Sequence, residues 1–203
     1  MTLPIASIIV AALSFVVSAT TAYLSLLRRG TVKMTRPTTI AFLGARTTDG
    51  PKIYLRTLLY CTARRGHVVE SMFVRLRRGE SHQTFNVWLY GDQKLAGGAG
   101  LYVGHEGVTF NHHFVLPRDG TKFEFLPGEY SLEIFAALVN ASPLRLTQLH
   151  LHLTEQQAEA LKDKQCGIFF DWGPDSGKYH AHIDRREPRG DIADLLNLGI
   201  FGR

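Results

Sequence analysis

Not one charged side chain occurs between Met1 and Leu27, and Arg28 and Arg29 follow at once. As a helix, the run from Leu3 to Leu27 would measure roughly 37 Å at ~1.5 Å per residue, enough to cross a hydrocarbon core of about 30 Å with some tilt. A secretory signal would open with Lys or Arg, have a shorter apolar stretch and end in small residues. Here the opening Met-Thr-Leu-Pro is uncharged, and the apolar stretch continues past Val17 and Ala19 through Leu24, Leu26 and Leu27. The reading is an uncleaved signal anchor over residues 1–29. Thr20 and Thr21 are small enough for close helix contact, but no GxxxG motif is present, so the segment reads as a plain single span.

Orientation follows from the positive charges, which resist translocation. Arg28, Arg29, Lys33 and Arg36 all flank the C-terminal side of the span, so residues 28–203 are expected in the cytoplasm. The net charge of +5 hides an uneven distribution: residues 28–78 hold 12 basic and two acidic side chains, and the remainder 11 basic and 16 acidic. The basic half is therefore the half tethered nearest the bilayer. Arg28, Arg29, Arg64, Arg65, Arg75, Arg77 and Arg78 form a candidate surface for anionic lipid, which attracts each such charge by ~1 kcal/mol at close range. No nucleic-acid motif accompanies these arginines, and nucleic acid is not an expected partner.

Cys61 and Cys166 lie far apart in the chain and outside any CxxC pair, which excludes a local zinc knuckle. Two free buried thiols suit the cytoplasm, whereas an exported domain would favour a disulfide. After a polar linker at 30–37, residues 38–184 are enough for one domain with a substantial core. Short apolar or alternating runs broken by Gly, Pro and Asp predict strands over 39–43, 53–62, 67–76, 84–90, 101–103, 108–116, 122–126, 130–139, 144–153, 167–172 and 179–183. Thr154 and Gln157 spell a capping box, with Leu153 as a staple, so one helix is expected from Glu155 to about Lys164. The tail at 185–203 holds Ile192, Leu195, Leu196 and Ile200 at helical spacing, a short amphipathic segment.

The stretch from Lys122 to Ile134 has a Pro127-Gly128 turn leading into Tyr130-Ser131-Leu132-Glu133-Ile134. It resembles the end of many bacterial immunoglobulin-like sandwiches. The resemblance covers about 15 residues. It implies a mostly β fold, an antiparallel immunoglobulin-like sandwich behind a transmembrane helix, and implies no activity.

Two segments carry candidate chemistry. His150-Leu151-His152 and His180-Ala181-His182 place pairs of imidazoles at i and i+2, hence on one face of a strand, where His150, His152, His180 and His182 would serve as metal ligands if the strands met. The alternation also predicts that Leu149, Leu151 and Leu153 are buried, leaving the first pair in solvent. Around the Gly173-Pro174 turn, Asp171, Trp172, Asp175, Lys178 and Tyr179 combine rigid aromatic area with polar groups, the composition of a partner-binding loop. There is no Gly-x-Ser-x-Gly elbow, and Gly97-Gly98-Ala99-Gly100 lacks the Lys and Ser or Thr of a phosphate-binding loop. The expected function is a non-catalytic interaction module at the membrane, without a cofactor, whose partner is the bilayer and another membrane or cytoplasmic protein. The alternatives are a tethered metal-binding protein or metal-dependent hydrolase using the paired histidines, and a domain that recognises anionic lipid.

Overall fold

The computed structural model describes residues 3–24, 30–44, 50–92, 95–97, 100–117, 119, 122–163 and 166–185. Helix α1 (Leu3–Ala22) leads the chain. From Pro4 to Ala22 it is long and apolar enough to span a membrane, and the domain buries none of it. Thirteen strands and one short helix follow among the described residues: β1 (Val32–Met34), β2 (Thr39–Leu43), β3 (Lys52–Cys61), β4 (His67–Arg78), β5 (Ser81–Phe85), β6 (Val87–Gly91), β7 (Ala96–Gly97), β8 (Leu101–Val103), β9 (Val108–Val115), β10 (Gly128–Leu138), β11 (Leu144–Leu153), α2 (Glu155–Ala160), β12 (Cys166–Gly173) and β13 (Lys178–Arg185).

The strands form two antiparallel sheets. The larger has the order β13-β12-β2-β3-β9-β6-β7 with β1 added against β3, and the smaller has the order β11-β10-β4-β5 with β8 added against β4. Alternate residues of each strand meet in the core between them. Ile40, Phe42, Ile53, Leu55, Phe114, Ile168 and Phe170 come from the larger sheet, and Val74, Leu76, Leu132, Ile134, Leu151 and Leu153 from the smaller. Phe42 sits among aromatic neighbours, stacked on Phe125 at 4.6 Å and edge-on to Phe170 at 4.9 Å.

Two expected strands turn out differently. The run at 84–90 breaks at Asn86: Phe85 pairs with Val74 in the smaller sheet, whereas Val87 pairs with Val115 in the larger. The crossing reverses which face is inward, so Phe85 and Trp88 are both buried although three positions apart, and Val87 is exposed. The run at 122–126 is not a strand at all. Its Phe125 is buried, but its backbone joins no ladder, because apolar alternation reports burial and not pairing. At its end, Tyr130 donates its hydroxyl to Leu126 O at 2.5 Å and accepts from Leu126 N–H at 2.9 Å, which fixes the turn through Pro127 and Gly128.

Helix α2 begins as its capping box requires, with Gln157 N–H donating to Thr154 Oγ1 and the Gln157 side chain accepting from Thr154 N–H. It stops at Ala160, earlier than expected, and the chain leaves through turns. The end of β2 packs directly on this exit: a Cβ on Gly44 would lie 1.7 Å from the Leu161 carbonyl oxygen, so only glycine fits.

Residues 30–37 are not the free linker that their polarity suggests. Val32, Lys33 and Met34 pair with Cys61, Tyr60 and Leu59, and Val32 is 1 % exposed. Thr35 N–H donates to Leu58 O, Arg36 lies 3.9 Å from the centre of the Trp172 ring, Tyr179 donates to Pro37 O at 2.6 Å, and Trp172 N–H donates to Thr38 O. Three residues cannot announce a strand by periodicity, and the partner that decides this one lies nearly thirty positions away. The amphipathic segment at 192–200 lies outside the described residues.

Candidate ligand-binding cleft

The face of the larger sheet turned away from the core is built by the residues that alternate with the core positions. Registers fix three cross-strand rows. In the first, His180, Asp171 and Thr39 line up, with Arg56, Asn111 and Gly91 continuing it. In the second, His182, Phe169, Ala41, Tyr54, His113 and Leu89 follow one another. The third runs from Asp184 through Gly167 and Leu43 to Lys52. In each row a small residue, Thr39, Ala41 or Gly167, stands between larger side chains. The result is a cleft of about 450 Å³ lined by Thr39, Ala41, Tyr54, Arg56, Asn111, His113, Phe169, Asp171 and His182, among others.

One wall is a hydrogen-bonded set. Tyr54 donates its hydroxyl to Asn111 Oδ1 at 2.9 Å, and Arg56 donates to the same oxygen at 2.9 Å and to Asp92 Oδ1 at 2.6 Å. Burial raises the Tyr54 pKa, so the phenol keeps its proton and remains a donor. His113 packs edge-on against Tyr54 at 5.0 Å. Burial first, and the Lys52 charge second, lower its pKa to about 4, so it faces the cleft as a neutral imidazole. Opposite, Thr39 donates to Asp171 Oδ1 at 2.7 Å, His182 Nδ1 lies 3.4 Å from Asp171 Oδ2, and the His182 ring stacks on Phe169. Ala41, Leu43 and Phe169 give the cleft an apolar floor between polar walls.

A hydroxyl nucleophile needs a base on its own oxygen, with the third group behind the base. Here the Asp171 carboxylate sits between Thr39 and His182, so the imidazole is not the group bonded to the Thr39 hydroxyl.

The structure disperses the partner-binding set foreseen around the Gly173-Pro174 turn. Asp171 turns to the cleft, whereas Trp172 and Tyr179 turn inward, in edge contact at 5.1 Å, and clamp the segment at 36–38. Burial, outweighing the Arg36 charge, pushes the Tyr179 phenol up to about 12. Asp175 and Lys178 stand exposed at the hairpin tip. The four histidines of the metal reading fall on two sheets. On β11, His150 is exposed and His152 Nδ1 meets Glu129 Oε1 at 2.7 Å. On β13, His180 bonds Ser176, and His182 Nδ1 lies 3.4 Å from Asp171 Oδ2. Among the described residues no three His, Cys, Asp or Glu groups stand where they could hold one metal ion.

The basic residues scatter along both ends of β4. Arg64 and Arg65 are exposed in the turn before it, Arg75 and Arg77 lie on the outer face of the smaller sheet, and Arg78 donates to Pro127 O at 3.2 Å. Arg28 and Arg29 lie outside the described residues. Tyr54, Arg56, Asn111 and His113 escaped the sequence reading. Their signal was present: Tyr54 and Arg56, like Asn111 and His113, sit at i and i+2 between core residues, marking a second face that is polar yet enclosed.

No family model, curated protein or solved structure matches this chain significantly.

Proposed function

We propose that the chain is a membrane-anchored, non-catalytic binding domain that holds a small amphipathic ligand in the cleft of its larger sheet. The cleft itself carries this reading. Its volume of about 450 Å³ falls in the range of small-molecule sites, and it combines an apolar floor with a few fixed donors and acceptors, the usual composition of such sites. The ligand expected there has an apolar body against Ala41, Leu43 and Phe169, donor groups toward Asp171, and an acceptor toward the Arg56 and Tyr54 wall.

An immunoglobulin-like assignment of the scaffold is supported by the two antiparallel sheets and by the Tyr130 hydroxyl hooked to Leu126, which resembles the tyrosine corner of such sandwiches. Anchoring is supported by α1, and a cytoplasmic domain by Arg28, Arg29, Lys33 and Arg36 beside it. Cys61 and Cys166 are both buried and are not joined in a disulfide, which agrees with a reducing compartment.

The deciding variant is Ala41→Trp, which puts an indole on the cleft floor. Thermal shifts of the full chain in neutral detergent, measured against a panel of small amphipathic amines and alcohols, should identify stabilising compounds. Ala41→Trp should abolish the shifts. Compounds that stabilise both proteins equally would place binding elsewhere and defeat the reading. Protease added to spheroplasts should leave the domain intact, and its digestion would reverse the orientation.

A further inference from the structure

We infer that the outer face of the five-stranded sheet holds a second site, for a phosphate-class oxyanion, built by Arg75, Arg77 and Arg145 around the Glu133 carboxylate. Register brings these groups together. Arg75 lies opposite Glu133 and Arg77 opposite Ser131 across β4 and β10, while the bulge between Ile134 and Phe135 sets Arg145 of β11 beside them. Their neighbours Val74, Leu76, Leu132 and Ile134 point into the core, so the four charged groups share the opposite face.

Glu133 is 6 % exposed and acts as the pin of the cluster. Arg77 Nε donates to its Oε2 and Arg145 Nη1 to its Oε1, both at 3.1 Å, and Arg75 Nη1 lies 4.0 Å from Oε2. Arg145 is further held by Gln148, which donates in turn to Ser131 Oγ. Arg75 rests over the Phe135 ring at 5.2 Å, and Phe135 stacks on Phe73 at 4.9 Å. The guanidinium groups are thus positioned in advance, while their side chains stay 33, 48 and 54 % exposed in the order 75, 77, 145.

Three cations meet one anion, and no second carboxylate pairs with them among the described residues. Like charges on adjacent strands repel, so a cluster with two surplus charges is costly unless an anion completes it. Arg75 shows the unmet demand most directly: its guanidinium makes no hydrogen bond to a described residue, and its buried Nε–H has no partner. A tetrahedral oxyanion carrying two charges matches the surplus and offers enough oxygens for three planar forks. A phosphomonoester has this chemistry, whether on a lipid headgroup or on a soluble molecule.

The test uses the full chain with ¹⁵N-labelled arginine in zwitterionic micelles, following the Nε–Hε resonances. Titration with inorganic phosphate at constant ionic strength should shift Arg75 and Arg77 saturably. Arg145→Gln, at an exposed position, should weaken the response at least about tenfold. Arg77→Lys, which keeps the charge and loses the fork, should weaken it as well. In a second arm the micelles are doped with a phosphatidate or with phosphatidylcholine. Saturation by phosphatidate alone assigns the site to a headgroup, and saturation by inorganic phosphate assigns it to a soluble phosphate. Linear drift in both arms, or equal responses from the wild type and both variants, overturns the inference. Ala41→Trp should leave these shifts unchanged, so the fate of the cleft reading is decided separately.

Discussion

His112 shows how a single side chain links the core to pH. It is fully buried, and its Nδ1 accepts from Trp88 Nε1–H at 3.1 Å. Because an indole N–H can only donate, the imidazole proton sits on Nε2, where it is buried without a partner among the described residues. Burial, reinforced by His113, lowers its pKa from 6.5 to about 4. Between those values the unfolded chain takes up a proton that the folded chain refuses, so stability present at pH 7 is lost as pH falls through this window. The loss is on the order of 3 kcal/mol for this one group. His112→Gln retains an acceptor for Trp88 and removes the titration, so its stability should vary less between pH 6.5 and 5 in urea melts of the micellar protein. An unchanged slope would show that another group is responsible. Glu133 acts lower: burial alone would raise its pKa, but hydrogen bonds and charge from Arg77 and Arg145 hold it below the usual carboxylate value. Its contribution is present above about pH 4.3 and disappears as pH falls and the carboxylate protonates, from the acid end of the His112 window downward.

At the scale of elements, the segment at 30–38 behaves as part of the domain. A fragment that begins at Gly30 keeps β1, whereas one that begins at Thr38 strips Val32 from the core and exposes the edge of β3. The shorter fragment should be less stable by at least about 2 kcal/mol, the loss of one buried aliphatic side chain together with its ladder. Equal melting temperatures would show that β1 adds nothing. Strands with a strong two-residue period, such as those around Leu132 and Leu151, were legible from residues alone, and so was the capping box of α2. The switch at Asn86 and the pairing of Val32 were not, because each depends on which distant strand lies alongside. The cleft was legible only in fragments for the same reason. Asp171 and His182 stood out through local composition, but Tyr54, Arg56, Asn111 and His113 gain meaning only when β3 and β9 are laid next to β2 and β12.

The described residues join one long apolar helix to two packed sheets, and the two candidate sites lie on the outer faces of those sheets. A helix of 20 residues, 0 % buried by the domain, exposes far more apolar surface than water tolerates. The full chain should therefore stay with the membrane pellet through alkaline carbonate, and removal of residues 1–24 should release the domain. Recovery of the intact chain in the supernatant would refute the anchor.

Because residues 30–38 are bonded to the domain along their length, only seven positions separate Ala22 from Gly30. Even fully stretched they reach about 25 Å. With α1 in a bilayer, the leash is shorter than the domain is long in many proteins of this size, so any ligand of the proposed cleft would be met in the thin water layer beside the lipid.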